Sequence, residues 1–158
     1  MKPFSVVILG QPATKKNSAV VVRSHACLLP SAAYRSYEKH CREVLMAMGH
    51  LPHYTLPVQM TCRYYLKDRA HWPDLVGLMQ ATADIISDER KRIAGKMVTT
   101  REWLLSDDRI IKSWDGTEIA GIDKLRPRVE IVITPLEVDV ALDPYVARQI
   151  KQKKGREE

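Results

Sequence analysis

Apolar and polar positions alternate or recur along the chain in ways that predict both strands and helices. Residues 4–9 are apolar and β-prone, and Gly10-Gln11-Pro12 stops them. Ala19-Val20-Val21-Val22-Arg23 and Cys27-Leu28-Leu29 read as two short strands, a hairpin around Ser24-His25-Ala26. Ser31 reads as the N-cap of a helix presenting Tyr34, Tyr37, Cys41, Val44, Leu45 and Met48 at helical spacing and stopping at Gly49. From Pro57 to Leu66 the residues Val58, Met60, Cys62, Tyr64 and Leu66 alternate onto one face, the mark of a half-buried strand. Asp74 reads as the cap of a second helix to about Ile86, with Leu75, Leu78, Met79, Thr82 and Ile86 on its apolar side. The stretch 87–101 is charged and aperiodic and reads as a loop or insertion. Trp103-Leu104-Leu105 leads to Ser106-Asp107-Asp108, and Ile110–Trp114 and Arg128–Thr134 read as strands. The segment from Tyr145 is helix-prone but polar, and is expected to fray into the basic run Lys151–Arg156.

The order β, β-hairpin, α, β, α, loop, β, β predicts an α+β domain, a small mixed β-sheet packed with two main helices on one face. A length of 158 residues suits one such domain, over residues 1–136, with a basic C-terminal tail over 137–158. Hydrophobic residues at 45% and charged residues at 28% exclude a disordered chain. No apolar run approaches the roughly 18–20 residues that span a bilayer, so no membrane partner is expected. The first apolar stretch ends in Gly10-Gln11-Pro12 rather than a small-residue cleavage site, and reads as a strand, not a signal peptide. Cys27, Cys41 and Cys62 are odd in number and not closely paired, which argues against a disulfide framework and for a reducing cytoplasm.

Charge is segregated. Residues 1–70 hold ten basic and three acidic side chains, residues 71–144 ten basic and fourteen acidic, and the last fourteen residues five basic and two acidic. An acidic middle between basic flanks suits an enzyme that holds a metal in carboxylates and a polyanion in Lys and Arg; scattered surface charge gives the same sums. Asp74 falls at a helix start and Asp107-Asp108 just before a strand, element ends that a sheet can bring together. A hard cation such as Mg²⁺ is satisfied by two or three carboxylates, water and substrate phosphate. Helix caps and turns are the ordinary roles of Asp at such positions. Asp84 lies ten residues into the second helix, about 15 Å along its axis from Asp74, so on one straight helix the two cannot share an ion. A salt bridge, or support of a ligand, is the better reading of Asp84.

Taken together, several segments resemble the RusA family of Holliday-junction resolvases. They are Asp74-Leu75-Val76-Gly77-Leu78-Met79-Gln80-Ala81-Thr82-Ala83-Asp84-Ile85-Ile86 and then Ser106-Asp107-Asp108-Arg109-Ile110-Ile111. Gly10-Gln11-Pro12-Ala13-Thr14-Lys15-Lys16-Asn17-Ser18 is similar to the family's opening loop. Pro30-Ser31 through Tyr34-Arg35, Tyr37-Glu38 is similar to the approach to its first helix. Trp114-Asp115-Gly116 and Pro127–Ile131 are similar to its closing strands. The resemblance spans residues 5–135. It implies a RusA-like α+β nuclease domain that forms a homodimer, binds four-way DNA junctions and cuts them with Mg²⁺, for which Mn²⁺ substitutes. It further implies Asp74, Asp107 and Asp108 as metal ligands and catalytic acids, and Asp84 as a supporting catalytic acid.

The chain departs from that pattern. Val76 stands where a second Asp is usual, Gly77 where Asn is, and Gln80 where Lys, or in a subgroup Glu, is. Losing a carboxylate lowers metal affinity, so the alternative is a weak or inactive branched-DNA-binding protein on the same scaffold. Lys15, Lys16 and Arg23 on the opening loop and following strand are the expected DNA contacts, with Arg35, Lys39 and Arg42 along one side of the first helix. His25 and Cys27, His40 and Cys41, His50 and His53, and Cys62 and His71 could seed a zinc site, but none shows Cys-x₂-Cys or His-x₃₋₅-His spacing, so a zinc-stabilised interaction domain is a third and weaker option. Neither a Ser or Cys triad nor a Gly-rich phosphate loop is present.

Overall fold

The structure is a computed structural model that describes residues 1–15, 20–22, 27–70, 72–137 and 143–157. Its main sheet has five strands: β1 (Phe4–Leu9), β4 (Val58–Leu66), β7 (Ile111–Ser113), β8 (Glu118–Ile122) and β9 (Arg128–Pro135). β9 lies between β1 and β4 and runs antiparallel to both. β7 and β8 both pair in parallel with the far edge of β4, one at each end of that long strand. The sheet is therefore mixed, and the protein is α+β as expected. Two small antiparallel ribbons complete the strands: β2 (Val20–Val22) with β3 (Cys27–Leu29), and β5 (Glu89–Ile93) with β6 (Lys96–Arg101).

Period-two burial explains the central strands. Val58, Met60, Cys62, Tyr64 and Leu66 of β4 are buried together with Val129, Ile131 and Ile133 of β9 and Val6 and Ile8 of β1, while Val7, Leu9 and Val132 face outward. Onto the buried face pack α1 (Ala32–Ala47), through Tyr34, Tyr37, Cys41 and Leu45, and α2 (Leu75–Ile86), through Leu78, Ala81, Ile85 and Ile86. Ser31 caps α1, its hydroxyl accepting from the Tyr34 amide at 3.1 Å, and Gly49 with φ of 77° follows its C-terminus. Tyr64 and Thr82 share a hydroxyl–hydroxyl hydrogen bond of 2.8 Å that pins α2 over β4. Cys41 and Cys62 are buried free thiols; burial, the largest influence on each, pushes them up to about 11 and about 12. Among the described residues no helix is long and apolar enough to cross a membrane.

Four segments differ from the sequence expectation. The aperiodic stretch 87–101 is the β5–β6 ribbon, not a loop. Ile110–Trp114 is shorter as a strand, because Asp108–Ile110 forms a 3-10 turn before β7. β8 was not expected at all. The polar C-terminal segment forms α3 (Pro144–Glu157), which continues through the run expected to fray. Its first turn packs on the domain: Val146 is buried, and Asp143 accepts from the amides of Tyr145 at 2.9 Å and Val146 at 3.2 Å. Of the proposed opening hairpin, Ser24-His25-Ala26 lies outside the described residues.

Candidate functional site

The two ends of α2 hold two of the candidate acids. Asp74 is its N-cap, and the carboxylate accepts from the Gly77 amide at 2.5 Å. Gly77 permits this closeness: a Cβ there would stand 3.0 Å from Asp74 Oδ1. Asp84, in the last turn, is paired with Lys15 of the opening loop, Nζ to Oδ2 at 2.7 Å. The same ammonium stands 5.6 Å from the ring centre of Tyr34. On the outer side of α2, Val76, Gln80 and Asp84 recur four residues apart, so both departures from the family pattern share one stripe with Asp84. Val76 is 65% exposed.

Asp107 and Asp108 reach this end of α2 through backbone pairing. Leu104 and Leu105 donate to the Ile86 carbonyl, each at 3.0 Å, and the Asp88 amide donates to Leu105 at 2.9 Å, so the chain after Leu105 runs beside the helix exit. Asp107 caps the 3-10 turn and is enclosed by two arginines. Arg109 donates to Oδ1 from Nε at 2.8 Å and from its amide at 3.0 Å; Arg90 donates to Oδ2 from Nη1 at 2.9 Å. Arg90 also donates to the Ser106 carbonyl at 2.6 Å. Burial alone would raise the Asp107 carboxyl, but the side-chain and backbone hydrogen bonds of Arg109 outweigh it and hold the group well below the usual carboxylate range. Asp108 is pushed the other way, by burial first, then by its hydrogen bond to Asp107 and the negative charges of Asp107 and Asp84. Asp84, Asp107 and Asp108 thus share one electrostatic neighbourhood.

Asp74 is placed apart from that neighbourhood, at the opposite end of α2, about 15 Å from Asp84 along the helix. Among the described residues no group of three or more His, Cys, Asp or Glu side chains is disposed to hold a metal ion. The carboxylate oxygens here are of the type a hard cation takes, but Lys15, Arg90 and Arg109 already engage Asp84 and Asp107. Buried hydroxyls without a hydrogen-bond partner border the site: Thr14 and Tyr34 beside the Lys15–Asp84 pair, and Ser106 beside Asp107.

Of the expected DNA contacts, Lys15 is exposed at this site, and Lys16 and Arg23 lie outside the described residues. Arg42 is not the free cation expected on α1. It is half-buried, pairs with Glu38 and Glu89, each at 3.1 Å, and lies 5.6 Å from the Trp103 ring. Sequence reasoning missed Arg90, Arg109 and Tyr145, whose ring lies 4.3 Å from the Arg109 guanidinium. Arg109 had a signal, since an Arg two residues after an Asp at a turn folds back onto it; Arg90 and Tyr145 had none, being distant in the chain. No known family model matches the chain, and none of the curated proteins matches it.

Proposed function

We propose that this protein is a divalent-ion-dependent endonuclease for branched DNA, of the RusA type, working as a homodimer in a reducing cytoplasm. The observation that carries the reading is the grouping of acids at the exit of α2: Asp84 pairs with Lys15 at 2.7 Å, and the hydrogen bonds of Leu104 and Leu105 to Ile86 lead the chain into Asp107 and Asp108 beside that exit. Asp108 and Asp107, with Asp84 in support, would hold Mg²⁺ or Mn²⁺; Asp74 joins the ligand set on the resemblance alone. The ion would polarise the phosphodiester and lower the pKa of an attacking water. The chain's own part is positional. Arg90 and Arg109 hold Asp107 ionised and rigid. Crowding of negative charge leaves Asp108 in need of a cation. Lys15 is placed to exchange Asp84 for a DNA phosphate, and a two-fold dimer would present two such sites to a two-fold junction.

The test is a synthetic four-way junction with Mg²⁺ or Mn²⁺. Asp108→Asn should abolish cutting, and Asp84→Asn should reduce it about 10–100-fold, the usual cost of a supporting group. Asp74→Asn tests the ligand role that the resemblance assigns. Equal cutting by wild type and the variants at 84 and 108 would remove this neighbourhood from the chemistry.

A second reading, a branched-DNA-binding protein that does not cut, is favoured by the double arginine engagement of Asp107 and by an exposed valine at position 76. Salt-sensitive junction binding with no cleavage at any divalent-ion concentration would select it.

A further inference from the structure

The β5–β6 ribbon is built to protrude. Five cross-strand pairs run from Glu89↔Arg101 to Ile93↔Lys96, and the connecting Ala94 and Gly95 have φ of 48° and 79°. Positive φ at both central residues is the two-residue turn whose twist matches that of paired strands. Every residue from Lys91 to Arg101 is exposed, so both faces of the ribbon meet solvent. A two-stranded ribbon with neither face packed is marginal in water and gains from a partner.

The base of the ribbon is firmly held. Glu89 accepts from Trp103 Nε1 at 3.2 Å and pairs with Arg42 at 3.1 Å. Arg101 lies 4.6 Å from the Trp103 ring, and Arg90 is engaged with Asp107. Beyond this base the ribbon's charged side chains are Lys91, Arg92 and Lys96, all basic. Among the described residues none of the three is paired with a carboxylate. Between them stand Ile93, Met97 and Val98, 54%, 60% and 42% exposed. The register places Arg92 opposite Met97 on one face and Lys91 opposite Val98 on the other. At about 3.3 Å per residue, a five-residue strand reaches about 16 Å.

We propose that this ribbon is a DNA-gripping arm, which lays Lys91, Arg92 and Lys96 against phosphates of a duplex arm while Ile93, Met97 and Val98 contact sugars and base edges in the groove. The inference rests on the nucleic-acid reading above but not on cleavage. Charge complementarity selects a polyanion. The major groove, about 12 Å wide, admits a two-stranded ribbon, and apolar side chains interleaved with cations suit groove contact. The rigid base brings the gripped duplex to Asp107, because Arg90 belongs to both.

The experiment uses the full chain with Lys91→Ala, Arg92→Ala and Lys96→Ala combined, and separately with Met97→Ser and Val98→Ser combined. Binding to a four-way junction and to a linear duplex is measured over a salt series without divalent ions. The triple variant should lose about ten-fold or more in affinity at low salt for both DNAs, and its salt dependence should be shallower by about 2–3 in log–log slope, near 0.9 per phosphate contact. The Met97/Val98 variant should bind more weakly with an unchanged slope. Both should keep the wild-type circular dichroism and melting temperature, since only exposed side chains change. Wild-type affinity and slope in the triple variant would overturn the proposal, as would absence of DNA binding by the wild type. So would a triple variant that binds DNA normally but loses dimerisation, which would make the ribbon a contact between copies. Ribbon-dependent binding, with no cutting once Mg²⁺ or Mn²⁺ is added to the same complexes, would support the arm and count against the nuclease.

Discussion

Both oxygens of Asp107 are occupied, by Arg109 at 2.8 Å and Arg90 at 2.9 Å, while the adjoining Asp108 carries the unfavourable share of the pair's negative charge. The two residues therefore contribute to stability with opposite signs. Asp107 titrates below its ordinary value of 3.8 in the folded state, so its stabilisation is complete above that pH and is lost as pH falls through the folded value. Asp108 titrates above 3.8, so the folded state loses stability as pH rises from 3.8 through the raised value. Asp107→Asn should cost about 1–2 kcal/mol at neutral pH: charged hydrogen bonds are worth roughly 1.5–3 kcal/mol, but Arg109 is largely exposed and screened. It should also flatten the loss of stability in acid. Asp108 is itself exposed, so Asp108→Asn should add only about 0.5 kcal/mol at neutral pH while removing cutting. Urea unfolding from pH 3 to pH 8 checks both. Shifts of the same sign at neutral pH would mean that the arginines do not divide the pair as described.

At the scale of elements, legibility followed the number of buried faces. α1, α2, β4 and β9 were readable because each buries one face and exposes another, which writes a period of 3.6 or 2 into the residues. The β5–β6 ribbon buries neither face, so Lys91-Arg92-Ile93 and Met97-Val98-Thr99 carry no alternation to read. β8 was missed because Glu118-Ile119-Ala120-Gly121-Ile122 is poor in strand formers and owes its conformation to pairing with β4. The acids of the site were visible in the chain, but their partners were not: Lys15 meets Asp84 across 69 residues and Arg90 meets Asp107 across 17. On α2, the stripe Val76, Gln80, Asp84 supplies a prediction. Neighbours four apart have Cβ atoms about 5–6 Å from each other, so Val76→Asp with Gln80→Glu would extend Asp84 into a row of three carboxylates. Both positions are exposed, and the added repulsion should cost less than about 1 kcal/mol. The double variant should lower the Mg²⁺ concentration for half-maximal junction cutting by about 10-fold or more, or create cutting where the wild type shows none. Unchanged Mg²⁺ dependence, with normal folding, would separate this stripe from any metal.

For the whole molecule, the C-terminal segment is the place where charge and packing divide. Its sequence reads as a solvated basic tail, yet α3 begins as part of the fold: Asp143 caps it and pairs with Lys112, Val146 enters the core, and Tyr145 lies under Arg109. Arg109 is also a clamp on Asp107, so the start of α3 supports the candidate site from behind. Two truncations test this division. Ending the chain at Glu137 removes Val146 and Tyr145. Burial of such side chains is worth about 1.5–3 kcal/mol each when complete, and Tyr145 is only partly buried, so the expected loss is about 2–4 kcal/mol. The acid stability attributed to Asp107 should weaken with it, because Arg109 loses the ring it rests on. Ending the chain at Lys151 keeps the docked turn and removes Lys153, Lys154 and Arg156 along with Glu157 and Glu158. Stability should then stay within about 0.5 kcal/mol of the full chain, as for surface changes generally. Urea midpoints and slopes for the three lengths decide the matter. Equal midpoints for all three would mean that α3 contributes nothing to the fold, and the Tyr145–Arg109–Asp107 chain of contacts would lose its structural meaning.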